Sequence, residues 1–345
     1  MENFVKQADC QSRAICILGM HRSGTSTVAS AVNLMGVHLG EAAKMMPATQ
    51  ANAEGYWEHL EIYDLQLRLL ERMGWDWDVS EPLPAGWVQS EAVRPFKEEL
   101  ARIVATSFGG HSLWAWKEPR TCILMPLWRE TLEKAGTKLA CLFVVRNPVD
   151  VAGSVMRRDG VPFNKALGIW FHYNIVALKD AAGLPTVFLS YEQLLESWEP
   201  ELRRCAAALD LDWPKDAARF RETMNAFIQP GLRHNRASAD RLQELPAPVQ
   251  ELYKILIAAC SLPVYDHRFA ETINRLSKEF HDYAGFFPNE LKILGRELEK
   301  ASAKEKRWDL SLPAPAPKLP QRLFGKKFCR SLCKRLAKAY CWFHP

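Results

Sequence analysis

The chain has 345 residues, 48% of them hydrophobic and 25% charged, a balance that excludes wholesale disorder and suits one α/β domain with appendages. Its net charge of +5 divides unevenly: residues 318–345 carry eight cations and no acid, whereas the remainder holds 37 basic and 40 acidic side chains. The core therefore lacks the charge for general polyanion or nucleic-acid binding, and only the tail has it. The nine cysteines form no C-x-x-C pair and several lie in apolar runs, which points to reduced, buried thiols in a reducing compartment. No basic-then-apolar leader opens the sequence, and no window approaches the ~20 apolar residues of a membrane span. A cytoplasmic location without a transmembrane segment is expected.

In chain order, "RAICILG" at 13–19 reads as a strand ending on glycine, and "TSTVASAVNLMGV" after it has helical spacing through Val28, Val32 and Met35. Further strands are expected at 113–117, 138–145 and 185–190, each followed by a helical pattern. In "RNPVDVAGSVMRR" (146–158) Asn147 suits the N-cap, Pro148 the first helical position and Asp150 the first turn, so Arg146 stands where strand gives way to helix. Residues 163–183 read as a long helix and 191–211 as helical segments interrupted near Pro200. This alternation predicts an α/β three-layer sandwich with a mainly parallel sheet flanked by helices. The core is expected to span 1–275, followed by a helical extension (276–311), a proline-rich linker (312–320) and a basic amphipathic helix (321–345).

"LGMHRSGTSTVAS" (18–30) raises a chemical question. Gly19, Gly24 and Ser26 occupy fixed positions of a Walker-type phosphate loop, but Thr25 stands where the lysine belongs. A glycine loop entering a helix still binds anions, because unpaired N–H groups converge there and the peptide dipoles favour negative charge. The nearby cation is Arg22, which weakens a triphosphate reading; the alternative is a structural turn with a solvated arginine.

The strand followed by "GMHRSGTS", then "FVVRNPVDVAGSVMRR" and "FLSYEQLLESWEPELRRCAAALDL", resembles the sulfotransferases that use 3′-phosphoadenosine 5′-phosphosulfate (PAPS), over about residues 14–240. "NAEGYWEHLEI" and "WKEPRTCILMPLW" are similar to segments of the bacterial branch. The resemblance implies a core related to P-loop nucleotide kinases and a PAPS donor bound without metal. It implies that Arg22 contacts the bridging oxygen, and that Ser23, Gly24, Thr25, Ser26 and Thr27 supply donors to the 5′-phosphosulfate. Arg146 and Ser154 match the 3′-phosphate pair, and Tyr191 the tyrosine at the adenine. Arg233 and Arg236, in "GLRHNR", fall where relatives bring basic residues over the 3′-phosphate, although the R-K-G form is absent. His21 replaces a proline of other branches and is expected to shape the loop.

Sulfuryl transfer also needs a group to take the acceptor's proton. Among Glu54, Glu58, His59 and Glu61, the resemblance favours Glu58, with His59 next; the alternative is an amphipathic helix whose acids face water. In "WKEPR", where relatives have K-D-P-R, Lys117 and Arg120 are expected to orient substrate, and the role of Glu118 stays open. Trp170, Phe171 and Tyr173 are expected in the core. The acceptor is expected to be a hydroxyl on a carbohydrate or glycolipid. The basic tail is expected to meet an anionic membrane face, making the protein peripheral at the inner membrane; docking onto the core or a partner is the alternative. An ATP-using P-loop kinase, or an inactive nucleotide-binding protein tethered to membrane, are the competing classes.

Overall fold

The computed structural model describes residues 12–48, 55–228, 239–262 and 269–284. It begins with β1 (Arg13–Leu18) and α1 (Thr25–Leu34), and passes through α2 (Leu60–Arg72) and α3 (Arg94–Phe108) to β2 (Leu113–Lys117). Then follow α4 (Thr121–Lys134), β3 (Lys138–Val145), α5 (Pro148–Asp159), α6 (Phe163–Asp180) and β4 (Thr186–Ser190). Helices α7 (Tyr191–Glu196), α8 (Trp198–Ala208), α9 (Ala217–Phe227), α10 (Ala239–Gln243), α11 (Ala247–Cys260) and α12 (Ala270–Ala284) complete the described residues.

The four strands form one parallel sheet in the order β2-β1-β3-β4. Their near-continuous apolar sequences are what a sheet buried on both faces requires. Alternate residues supply two separate cores: Ala14, Cys16, Leu18 and Phe143 face one, and Ile15, Ile17, Leu142 and Val144 face the other. The first core is covered by helices that include α2, α4 and α6, and the second by α1, α8 and α9. This is the three-layer α/β arrangement expected from the alternation of strands and helices.

Packing fixes the strand that carries the "WKEPR" segment. Trp116 stacks on Trp128 at 4.1 Å between centroids, and Trp114 on Phe108 at 4.3 Å, which locks β2 to α4 and α3. Each such pair contributes about 0.5–1.5 kcal/mol beyond area burial. Trp170, Phe171 and Tyr173 are buried in α6, as their spacing implied.

Two boundaries differ from the sequence expectation. The break in 191–211 falls at Ser197, whose non-helical backbone (φ −153°, ψ 68°) separates α7 from α8, while Pro200 sits in the first turn of α8. Proline is tolerated there because a first-turn N–H has no intrahelical partner to lose. The line drawn at 275 crosses α12, whose Leu276 and Phe280 are buried in the core. Arg233, Arg236, Glu54, the linker and the basic tail lie outside the described residues. Among the described residues no helix is long and apolar enough to cross a membrane.

Candidate functional site

The connections that leave β1, β2, β3 and β4 all emerge at the carboxyl edge of the sheet, the edge at which open α/β sheets place their ligands. Residues 19–24 leave β1 and turn into α1, with Gly24 at the N-cap in the left-handed region (φ 87°). A Cβ at Gly24 would lie 2.1 Å from Cδ2 of Tyr191, so both conformation and contact demand glycine. No side chain caps α1, which leaves the first-turn N–H groups of Thr25, Ser26 and Thr27 directed toward the loop's concavity. Ser23 and Thr25 are buried, and Ser26 Oγ donates to the Tyr56 carbonyl at 3.2 Å. At the other end of the loop, the Gly19 N–H donates to Cys122 Sγ at 3.2 Å.

Arg22 adopts φ 68°, a conformation uncommon for a side chain other than glycine or asparagine. Its Nε donates to Ser154 Oγ at 2.9 Å, and its carbonyl accepts from Arg146 Nη1 at 2.8 Å. The Arg146 guanidinium lies 4.7 Å from the ring centre of Tyr191, closing a circuit through Gly24. The helix carrying Ser154 is set by Asn147, whose side chain accepts from the Val149 N–H at 2.9 Å and whose own N–H donates to Glu192 Oε1 at 3.0 Å. Burial, then Arg158 and Arg146, hold the Arg22 guanidinium below its ordinary range, with Tyr56 and Asp159 opposing. Arg22 and Arg146 thus bear on one place, with Arg158 beside them paired to Asp159 at 2.8 Å, and Nε of buried Arg146 finds no partner among the described residues. Such a site favours a polyanion whose oxygens accept several charge-assisted bonds.

Next to it stands a buried ionic quartet. Glu58 precedes α2, and its Oε1 accepts from Lys117 Nζ, the last residue of β2, at 2.5 Å; the two side chains are 8% and 2% exposed. Glu118 accepts from Arg120 twice, at Oε1 from Nη1 (2.5 Å) and at Oε2 from the backbone N–H (2.9 Å). Burial raises the Glu118 carboxyl to about 7 against the pull of Arg120, with Glu58 adding to the rise. Burial works to lower Arg120, but the Glu118 carboxylate outweighs it and the guanidinium is held above its ordinary range. Arg120 also lies 4.9 Å from the ring centre of Tyr63.

The structure thus brings Arg22, Ser23, Gly24, Thr25, Arg146, Ser154 and Tyr191 together, and packs Glu58 against Lys117 rather than turning it to water. His59 is not brought there. Its ring is buried against Gly40 and Phe108, near Lys44 and Glu61, because adjacent residues at the start of α2 point in different directions. Arg158, Trp77, Tyr63 and Cys122 join the site without having been singled out. Arg158 was legible in principle, since it lies one helical turn beyond Ser154 on the same face of α5. Trp77 had no such signal, coming from an irregular connection. Among the described residues no group of three or more His, Cys, Asp or Glu is placed to hold a metal.

No family model and no curated protein matches this sequence. Solved structures similar to it include two sulfotransferase domains. The sulfotransferase domain from the Synechococcus PCC 7002 olefin synthase has 18% identity and a TM-score of 0.42, over 74% of this chain and 96% of that one. The sulfotransferase domain from the curacin biosynthetic pathway has 17% identity and a TM-score of 0.38, over 72% and 96%.

Proposed function

We propose that the chain is a PAPS-dependent sulfotransferase, moving the sulfuryl group of the donor to an acceptor hydroxyl on a carbohydrate or glycolipid. The observation that carries this reading is the pair of hydrogen bonds from Arg22 to Ser154 and from Arg146 to Arg22, which join positions 132 and 124 residues apart into one cationic site beside the loop. A donor with a 5′-phosphosulfate and a separate 3′-phosphate needs two anion subsites held in fixed relation. The α1 N-terminus with Arg22 supplies one, and Arg146 with Ser154 the other.

In the transfer, the acceptor O–H bond breaks and its proton passes to Glu58. An O–S bond forms as the bond from sulfur to the 5′-phosphate oxygen breaks, its electron pair leaving on the bisphosphate. Arg22 and the first-turn N–H groups are already in place for the negative charge that grows there, so little reorganisation is required. Lys117 aims the Glu58 carboxylate. A kinase reading is less well served: Thr25 replaces the lysine, and the Ser26 hydroxyl, which would hold Mg²⁺, is directed at the Tyr56 carbonyl.

The test is transfer of labelled sulfate from PAPS to a panel of sugars, glycolipids and phenols by the native chain and by Arg22→Ala. Transfer that falls about 10²-fold or more in the variant, while adenosine 3′,5′-bisphosphate still binds, is the expected result. Unchanged transfer in Arg22→Ala would remove Arg22 from the mechanism, and phosphoryl transfer from ATP without sulfate transfer would favour the kinase.

A further inference from the structure

Just before α2 the chain changes sides of the sheet. The Trp57 indole packs against the second core, the one that α1, α8 and α9 cover, whereas Ile62 and Leu65 of α2 lie in the first. Glu58 stands at this crossing, where its carboxylate meets Lys117 at the end of β2. The crossing is anchored on both sides of Trp57. Before it, the Tyr56 carbonyl accepts from Ser26 Oγ at 3.2 Å, which ties it to the first turn of α1. After it, the Glu58 carbonyl accepts from the Met46 N–H at 2.8 Å, and His59 forms an antiparallel bridge with Met45. The His59 carbonyl then accepts from the Tyr63 N–H at 2.9 Å, which fixes the entrance of α2.

The residue between these anchors, Trp57, has φ 56°, in the left-handed region. For a bulky side chain this conformation is an outlier, and such strain persists only where the surroundings over-determine it. The indole carries a second cost, because its Nε1 is shielded from solvent and meets no partner among the described residues. A tryptophan that merely filled the core would require neither. Glu58 does require the backbone: returning Trp57 to a right-handed or extended conformation turns φ through about 120° and swings the next side chain away from Lys117.

We propose that Trp57 is the positioning residue of Glu58. Its left-handed backbone aims the carboxylate at Lys117, and its indole, packed in the second core, holds that backbone in place. This rests on the sulfotransferase reading, in which Glu58 takes the acceptor's proton, and adds to it the residue that sets where the proton is received. Because Tyr56 is tied to Ser26, the same residue fixes the base relative to the helix that opens the donor loop. Trp57 itself touches no reacting atom; it supports one that must be held in place before the reaction begins.

Three variants separate backbone from side chain. Trp57→Gly, Trp57→Asn and Trp57→Ala all remove the indole, and they differ in how readily they keep a left-handed φ: glycine most, asparagine next, alanine least. With the full chain, labelled PAPS and the most active acceptor of the panel, kcat should fall in that order. Glycine should exceed alanine by about tenfold, while the Kd of adenosine 3′,5′-bisphosphate stays within about twofold in all three. A role in packing alone predicts another order, with alanine above asparagine and glycine. In a Glu58→Gln background the difference between glycine and alanine should vanish. Crystal structures of the variants should keep the Glu58–Lys117 contact in Trp57→Gly and lose it in Trp57→Ala. Should Trp57→Ala fail to fold, asparagine against glycine carries the same comparison. Equal kcat in the variants, alanine ranked first, or a difference that survives Glu58→Gln would each overturn the proposal. A native chain that transfers no sulfate would instead overturn the sulfotransferase reading. The variant structures would still decide the role of Trp57, since a contact kept with alanine or lost with glycine refutes it.

Discussion

Gly24 is the residue on which loop, helix and the Tyr191 ring converge. In Gly24→Ala a methyl group would have to enter the space of the Tyr191 ring while the backbone holds a left-handed conformation. The backbone preference alone costs about 1–2 kcal/mol, and displacement of Tyr191 also disturbs Arg146. A fall in melting temperature of several degrees and a weakening of bisphosphate binding by about tenfold or more are expected, read by thermal unfolding and calorimetric titration. Glu118 makes a separate, pH-dependent contribution. Its folded-state value of about 7 lies above the ordinary 4.5, so the native state binds the extra proton between these values. This contribution is fully present below about 4.5 and is lost as pH rises through about 7. Urea unfolding of Glu118→Gln across this window should show a shallower decline of stability with pH than the native chain, whatever the variant's absolute stability. Among single residues, Arg146, Ser154 and Tyr191 were legible because each sits at a strand end or at a defined helical phase, and Arg22 because it lies inside the glycine loop. His59 and Trp77 were not, because the direction of a side chain at a helix entrance or in an irregular connection is set by tertiary packing, not by spacing.

At the level of the element, α5 sets Ser154 against Arg22, and its start is written locally. Asn147 caps it, Pro148 opens it, and Gly160 ends it in the left-handed conformation at φ 69°. Asn147→Ala removes the bond to the Val149 N–H and should cost about 1 kcal/mol in denaturant unfolding. Because Ser154 rides on the same helix, a weaker affinity for the bisphosphate should accompany the loss. The strands were legible for a comparable reason: continuous apolar runs ending at Gly19, Lys117, Arg146 and Tyr191 are marked at the very edge where chemistry is placed. The α7–α8 break, expected near Pro200, falls at Ser197, because Pro200 sits in a first turn where its missing N–H costs no bond.

For the whole molecule, the order β2-β1-β3-β4 gathers four connections that are distant in sequence at one edge. Alternation of strand and helix implied a parallel sheet but not which strands are neighbours, since that depends on how the two apolar faces are covered. Placing β1 between β2 and β3 sets the glycine loop between the Glu58–Lys117 pair on one side and Arg146 with Ser154 on the other. In the proposed reaction, donor and acceptor would meet over the loop, beside the guanidiniums of Arg22 and Arg146. Whether this site holds a nucleotide with separate 5′ and 3′ anions is decided by calorimetric titration of the full chain with adenosine 3′,5′-bisphosphate, with ATP, and with ATP plus Mg²⁺. Binding of the bisphosphate in the presence of a chelator, weakened by about tenfold or more in Arg146→Ala, is the predicted result. Binding of Mg²⁺-ATP alone, with no heat from the bisphosphate, would contradict it.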